Sequence, residues 1–156
     1  MSSEPGCMAL DLANDLAGLL AQALRENRTR FGADTLRAFD LGCFPWHGYL
    51  ELSFLTTDEP GLRNDRSPFT SVADWRFYDF VPGWPAARHI AAAMQREWLA
   101  SKDRKATADA CFRECAQALR SETVGAALAL YSRAPDFVLL VVNSDDPNSV
   151  NYCTVA

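Results

Sequence analysis

Cys43 and His47 are the residues whose types and spacing come nearest to a chemical site. A cysteine thiolate beside an imidazole base is a catalytic nucleophile, and Asp40 precedes the pair in the same predicted strand. A carboxyl group on a strand is either paired or on the open face of the sheet, because burying it unpaired is costly. Asp40, Cys43 and His47 therefore form a candidate polar site for a small enzyme or a small-molecule binder.

The same residues also fit a purely structural interpretation. A buried free cysteine packs as a small hydrophobe, and a histidine in a turn hydrogen-bonds nearby backbone groups. The hairpin turn between Cys43 and His47 gives the imidazole no particular geometric relation to the thiol. We therefore assign no catalytic residue, and the sequence favours a protein that is not an enzyme while leaving that question open.

Cys111 and Cys115 lie one helical turn apart, which matches a zinc-ligand pair only loosely. They share a helical stripe with Phe112 and Leu119, as core residues do. The sequence also contains neither a P-loop nor a glycine-rich dinucleotide fingerprint. We therefore predict reduced core thiols, no metal and no cofactor.

The charge balance restricts the class of partner. The formal net charge is −5 and the isoelectric point is about 4.9, whereas a nucleic-acid-binding domain needs a basic face. The longest strongly apolar run, 137–142, is far shorter than the roughly 20 residues of a membrane helix, and the first residues lack the pattern of a secretory signal. We therefore predict a cytoplasmic protein that binds neither nucleic acid nor membrane.

Aromatic residues are concentrated in one part of the chain. Of the 17 Phe, Tyr and Trp residues, 11 fall between Phe39 and Trp84. Helices on both faces of the sheet would make this set an ordinary core. A strand points alternate side chains to opposite faces, however, and exposed Trp and Tyr are enriched at binding hot spots. The candidate partner-binding residues are Trp46, Tyr49 and Tyr78, with Asp58 and Glu59 of the long polar loop over 58–72.

Hydrophobic periodicity predicts the secondary structure. The predicted helices lie at 8–27, at 85–99, after Thr107 as N-cap, and from Ser121 as N-cap to Tyr131. The predicted strands lie at 36–43, 49–57, 74–80, 137–143 and 150–155, the first two joined by a hairpin turn at 44–48.

Segregated runs of strands and helices are typical of the α+β class. We predict one α+β domain over residues 1–156, with an antiparallel or mixed sheet of roughly four or five strands and about four helices packed against it. Strand 137–143 is continuously apolar, which predicts a position at the centre of the sheet.

Three segments are relevant here. Residues 39–54 are Phe-Asp-Leu-Gly-Cys-Phe-Pro-Trp-His-Gly-Tyr-Leu-Glu-Leu-Ser-Phe, residues 74–80 are Asp-Trp-Arg-Phe-Tyr-Asp-Phe, and residues 137–146 are Phe-Val-Leu-Leu-Val-Val-Asn-Ser-Asp-Asp. In this combination the chain resembles small bacterial families of unknown function, including immunity-type proteins of polymorphic toxin systems. The excess of Arg over Lys, 13 to 2, agrees with a GC-rich bacterial genome. The resemblance implies a single α+β domain that binds a protein partner such as a toxin, and it assigns no site residue.

The sequence leaves three functional hypotheses open. The first is a non-enzymatic protein-binding module, immunity-type or regulatory. The second is a small enzyme or small-molecule binder whose pocket, between the sheet and the 84–99 helix, contains Asp40, Cys43 and His47. The third is a structural homodimer formed through an uncovered sheet face or edge, so both a monomer and a homodimer are open.

Overall fold

The computed structural model describes residues 12–59, 69 and 71–154. Within these residues the chain forms four α-helices and a three-stranded sheet. The elements in chain order are α1 (Leu12–Glu26), β1 (Thr35–Phe44), β2 (Tyr49–Thr56), α2 (Arg88–Ala100), α3 (Arg104–Leu119), α4 (Glu122–Leu128) and β3 (Ser132–Leu140). The predicted α+β class is confirmed, but the described sheet has three strands rather than four or five.

β1 is the central strand of the sheet, between β2 and β3. It runs antiparallel to β2 and parallel to β3. A short 3₁₀ helix, Pro45–His47, and Gly48 connect β1 to β2, so that Phe44 pairs with Tyr49 at the closed end of the hairpin. The predicted hairpin is confirmed, and its register decides which side chains share a face of the sheet.

The segment 74–80 is not the aromatic strand that the sequence predicts. Phe77 forms only an isolated antiparallel bridge to Phe54. Two residues later Asp79 takes a left-handed backbone conformation, with φ at 49°, and such a residue interrupts an extended chain. The segment therefore lies beside β2 as a series of turns.

The predictions for the last strands are also wrong. β3 lies at an edge of the sheet rather than at its centre. Residues 152–154 form a turn instead of a final strand, and residue 155 lies outside the described residues. The side chain of Asn151 takes the place of a neighbouring strand there: its amide donates to the carbonyl of Leu139 and its oxygen accepts from the N–H of Val141.

The two helix starts predicted for the second half of the chain have different outcomes. α3 begins earlier than expected, because Asp103 rather than Thr107 is its N-cap and accepts from the N–H of Ala106. Ser121 caps α4 as predicted and accepts from the N–H of Val124. None of the helices in the described part of the chain is long and apolar enough to cross a membrane.

The helices cover one face of the sheet and form the main core there. α1 packs against α3 and α4, and Leu20 and Leu24 are fully buried on its inner stripe. The ring of Phe31 meets that of Phe54 edge-on at a centroid distance of 4.9 Å. The hydroxyl of Tyr131 donates to the carbonyl of Leu24 at 2.6 Å. Burial of this apolar surface is the main driving force for folding.

The opposite face of the sheet has a smaller apolar cluster. The indole of Trp75 packs against Ala38, Leu55 and Leu140, all of which are buried. This cluster covers only one end of the face, since the segment that carries Trp75 turns away toward β2. The other end of the face carries the polar residues that form the candidate site.

β3 has the protective features of an edge strand. Its pairing with β1 is interrupted by a register shift, and Pro135 lacks a backbone donor. Arg37 forms an ion pair at 3.2 Å with Asp136 of this strand. Bulges, proline and charge are the means by which edge strands avoid pairing with another chain, so nothing in β3 favours a homodimer through this edge.

Gly48 and Gly18 provide opposite tests of this fold. Gly48 has φ of 63°, and an added Cβ would lie 2.8 Å from the side-chain oxygen of Gln95. We expect Gly48→Ala to lower the free energy of unfolding by about 1–3 kcal/mol. Gly18 lies in α1 with nothing near its missing Cβ, so Gly18→Ala should raise it by about 0.5–1 kcal/mol.

Urea unfolding of both variants measures these changes. A Gly48→Ala protein as stable as the wild type would contradict the hairpin geometry described above.

Candidate functional site

A cavity of about 510 Å³ lies on the face of the sheet that the helices do not cover. Side chains alternate along a strand, so Asp40, Gly42 and Phe44 of β1 share this face. The hairpin register places Glu51 of β2 directly opposite Gly42. The remaining walls come from Phe69, residues 71–74 and Tyr78, and from the loop 142–149. The volume is in the range of small-molecule sites.

Asp40 is the most unusual residue of this cavity. Only 4% of its surface is exposed, and its Oδ1 atom is buried without a hydrogen-bond partner. Burial raises the pKa of Asp40 to about 8, and the nearby negative charge of Glu51 adds to the effect. Near neutral pH the side chain is therefore largely a neutral acid, because ionisation in this position lacks compensation.

Glu51 is half-buried beside Asp40 and is held by Tyr78. Partial burial and the charge of Asp79 raise the pKa of Glu51, whereas a hydrogen bond from the Tyr78 hydroxyl opposes that rise. Burial is the largest cause of the raised pKa of Tyr78. The hydrogen bond to Glu51 and the negative charges of Glu51 and Asp79 raise this pKa further. The phenol therefore stays a donor to Glu51 over the physiological pH range.

Gly42 leaves the space between these groups open. A Cβ at this position would lie 3.1 Å from the ring of Phe44 and 3.3 Å from the Cβ of Glu51. Any larger residue would fill part of the cavity and press on the Glu51 side chain. The absence of a side chain at Gly42 is therefore one reason why the cavity exists.

Hydrogen bonds fix the shape of the 142–149 loop. The N–H of Asn143 donates to Oγ of Ser149 at 2.9 Å, and the N–H of Asp145 donates to Oδ1 of Asn143 at 3.0 Å. The N–H of Ser149 donates to the carbonyl of Asp146 at 3.0 Å. These hydrogen bonds hold the loop in one conformation, in which it forms a wall of the cavity.

The lining of the cavity is acidic and partly aromatic. Four of its described residues carry carboxyl groups: Asp40, Glu51, Asp74 and Asp146. No lysine, arginine or histidine is among the described residues that line it. The rings that line it belong to Phe44, Phe69 and Tyr78. The electrostatic potential of such a concave site favours positive charge.

The structure separates the three residues of the predicted polar site. Cys43 lies on the helix-covered face, where its thiol contacts the sulfur of Met94 at 3.8 Å, whereas Asp40 belongs to the opposite face. His47 is exposed in the 3₁₀ turn. The strand alternation that the sequence itself indicates makes residues 40 and 43 face away from each other. The structure therefore does not bring Asp40, Cys43 and His47 together as one polar site.

The predicted pocket between the sheet and the 84–99 helix exists only as a small cleft. Its volume is about 190 Å³. Neither Asp40, Cys43 nor His47 lines it, and its walls include Tyr49, Trp84 and Arg88. Asp40 instead lines the cavity on the open face of the sheet.

The aromatic residues of the predicted partner surface lie in three different surroundings. Trp46 is half-buried with its ring edge-on to Phe112. The Tyr49 hydroxyl donates to Asp79 at 3.1 Å and accepts from the N–H of Gly83. Tyr78, 38% exposed, is on the rim of the acidic cavity. Of the three, Tyr78 is the one at the candidate site.

The predicted surface acids Asp58 and Glu59 act within the fold. Oδ1 of Asp58 accepts from the hydroxyl of Thr56 at 2.7 Å. Glu59 is buried rather than exposed, and its Oε1 accepts from the N–H of Arg76 at 2.7 Å. Both acids fasten the aromatic segment to the end of β2. The other predicted loop residues, 60–68 and 70, lie outside the described residues.

The cysteines do not form a metal site in the described structure. Within the described residues, no group of three or more His, Cys, Asp or Glu is placed to hold a metal ion. Cys43, Cys115 and Cys153 are free thiols, whereas Cys111 is disulfide-bonded. The prediction of reduced thiols is therefore wrong for Cys111. A hydrogen bond with Cys43, followed by burial, raises the pKa of Cys115, so this thiol is not activated.

The sequence analysis selects Asp40 and, as part of a different surface, Tyr78, but it does not assign Gly42, Glu51 or the 142–149 loop to the site. The polar alternation of Tyr49, Glu51 and Ser53 does indicate a wetter face of β2. The hairpin register, once fixed at the 44–48 turn, brings Gly42 and Glu51 onto that face. No sequence pattern indicates that the 142–149 loop lines the cavity. Its position depends on the path that the chain takes after β3.

Comparison of this chain with protein-family models, curated proteins and solved structures found no match. The functional argument therefore rests on the geometry and chemistry of the cavity.

Substitution of Asp40 tests its ionisation. Its pKa in the folded protein is raised from 3.8 to about 8, so the stability associated with the protonated form is fully present below about pH 4 and is lost as the pH rises toward about 8. Asp40→Asn removes this loss. We expect the free energy of unfolding of the variant, relative to that of the wild type, to increase by up to about 1.4 kcal/mol per pH unit between those limits.

Urea unfolding at several pH values measures the difference between the two proteins. Asp145→Asn, at an exposed position outside the cavity, is the matched control and should follow the wild type. A constant difference between Asp40→Asn and wild type across the pH range would show that Asp40 titrates normally.

Proposed function

We propose that this chain is a non-catalytic binding domain whose site is the acidic cavity on the open face of the sheet. The observation that carries the proposal is the buried, unpartnered Oδ1 of Asp40 at a cavity of about 510 Å³. A buried polar atom without a partner destabilises the protein by about 1–3 kcal/mol. Such a destabilising group at a ligand-sized cavity is typical of a site that a ligand completes.

The chemistry of the cavity supports binding rather than nucleophilic catalysis. The thiol of Cys43 lies on the other face, and neither His47 nor His89 lines the cavity. The carboxyl, phenol and hydroxyl groups that do line it are hydrogen-bonding groups. They can orient a ligand whose apolar part packs on the aromatic walls.

Two substitutions that fill the cavity test this proposal. Gly42→Val places a branched side chain against Phe44 and Glu51, so it should abolish binding of small molecules at this site. Val142→Phe fills the same cavity from the loop side and does not depend on the fold of β1. Gly18→Ala, in α1, is the control that leaves the cavity unchanged.

Amide chemical shifts of ¹⁵N-labelled protein, recorded with a chemically diverse set of small molecules, provide the measurement. We expect ligands that shift the resonances of Asp40, Glu51 and Asn143 in the wild type and in Gly18→Ala but not in the two filled variants. If no molecule of the set shifts these resonances, or if the shifts persist in both filled variants, the proposal is contradicted.

We propose a protein partner as the second candidate function, in keeping with an immunity-type or regulatory module. Tyr78 supports it, because this exposed tyrosine stands at the rim of the cavity. Phe44 lines the cavity and its ring contacts that of Trp46 edge-on. Trp46 in turn lines a neighbouring groove of about 260 Å³ with Trp98. A partner bound over the cavity would thus reach a second aromatic surface.

The matched variants Tyr78→Ala and Leu130→Ala test this second candidate against a purified partner from the native host. Both positions are exposed, but only Tyr78 lines the cavity. We expect Tyr78→Ala to weaken the complex at least about tenfold, as for an aromatic hot spot, with Leu130→Ala unchanged. Equal affinities of the two variants would exclude Tyr78 from the interface.

A further inference from the structure

We infer that the cavity takes an organic cation, an amidinium, guanidinium or ammonium group on a short apolar body, and that this charge displaces a proton from Asp40. The inference rests on the proposed binding function and specifies the chemical class of its ligand.

Asp40 provides the first argument for a positive charge. Its Oδ1 is buried and lacks a hydrogen-bond partner, and the side chain lies on the floor of the cavity beside Glu51. A cation in the cavity beside Asp40 would stabilise the carboxylate form of this buried side chain by its opposite charge, which the free protein does not supply there.

The other titratable groups around the cavity also favour a positively charged ligand. Glu51 faces it from β2, and Asp74 and Tyr78 face the cavity from the aromatic segment. Asp146 lies in the 142–149 loop. The described residues that line the cavity include no positively charged side chain, so the net charge of the lining disfavours an anionic ligand.

The walls define the rest of the ligand. The ring of Phe44 offers aromatic surface to the ligand, and Val142 and Pro147 add apolar surface. The ring of Phe69 also lines the cavity and already packs with the guanidinium of Arg37, 5.7 Å from its centroid. A bare divalent metal does not fit, since within the described part of the chain no set of three ligating side chains is placed to hold one. An organic cation can place its charge near the carboxyl groups and pack its apolar part against the walls.

The binding step balances as a proton exchange. A cation enters the cavity, the neutral carboxyl of Asp40 loses its proton to the buffer, and the ligand keeps its own charge. Affinity should therefore rise with pH while Asp40 is still protonated in the free protein. For one proton released, Kd falls by about tenfold per pH unit below the pKa of Asp40.

Benzamidine, benzamide and benzoate form a matched series of probes. They share one ring and similar shape but carry positive, zero and negative charge. Benzamidine stays protonated over the pH range of the experiment. Calorimetric titration of the full chain with each probe, in two buffers of different ionisation enthalpy, gives both the affinity and the number of protons released.

We expect benzamidine to bind most tightly and to release close to one proton, with the Kd falling by about tenfold from pH 6 to pH 7. Asp40→Asn keeps the shape of the side chain but cannot ionise. It should therefore show no proton release and no such pH dependence. Glu97→Gln, at an exposed position of α2 that does not line the cavity, is the control and should match the wild type.

Two sources could supply such a cation: a free small molecule, or the side chain of a basic residue in a protein partner. The blocked peptide acetyl-Ala-Arg-Ala-amide separates them. Binding of this peptide as tight as that of benzamidine indicates a protein-borne group, and binding of benzamidine alone indicates a free molecule. Both results support the cation.

Three results would overturn the inference. Tighter binding of benzamide or benzoate at the cavity contradicts the cation and leaves the proposed binding function standing. Binding of benzamidine without proton release, or unchanged in Asp40→Asn, removes Asp40 as the group that receives the charge. Binding of none of the probes contradicts both the inference and the proposed function.

Discussion

The register of the β1–β2 hairpin is the constraint on which the rest of the structure depends. The turn at Pro45–Gly48 pairs Phe44 with Tyr49, and the ladder then pairs Gly42 with Glu51 and Leu41 with Leu52. Because side chains alternate, a shift of one residue would exchange the two faces of the sheet. The carboxyl groups would then enter the helix-covered core and the leucines would face the cavity.

This register divides the central strand into two chemically different surfaces. Phe39 and Leu41 are fully buried under the helices, where burial of apolar surface stabilises the fold. Asp40, between them in sequence, faces the other way and is nearly as buried, but without compensation for its charge. The helix side therefore supplies the stability that allows a destabilising carboxyl group on the opposite side. Functional sites commonly carry such locally unfavourable groups.

The sequence predicts the parts of this structure that depend on local pattern. The hairpin, α1 and the Ser121 cap follow from alternation, helical periodicity and capping chemistry. The sequence also marks Asp40 as unusual, because a carboxyl group rarely occupies a strand interior. The same alternation places Asp40 and Cys43 on opposite faces of the sheet, so their nearness in sequence does not make them neighbours in one site.

The remaining features depend on contacts between distant segments. The aromatic segment 74–80 has strand-forming composition, yet Asp79 in a left-handed conformation and its contact with Ser53 turn the chain. The place of β3 at the sheet edge depends on Asn151, whose side chain closes that edge in place of a strand. The cavity itself needs the loop after β3, and no local pattern indicates where that loop returns.

The central claim is that Asp40 is a buried carboxyl group that stays protonated near neutral pH until a cation reaches it. The ¹³C chemical shift of its side-chain carboxyl carbon, followed over a pH titration of the ligand-free protein, measures this directly. The account predicts a midpoint near pH 8, in keeping with the raised pKa of about 8. A midpoint near the ordinary value of 3.8 would contradict it.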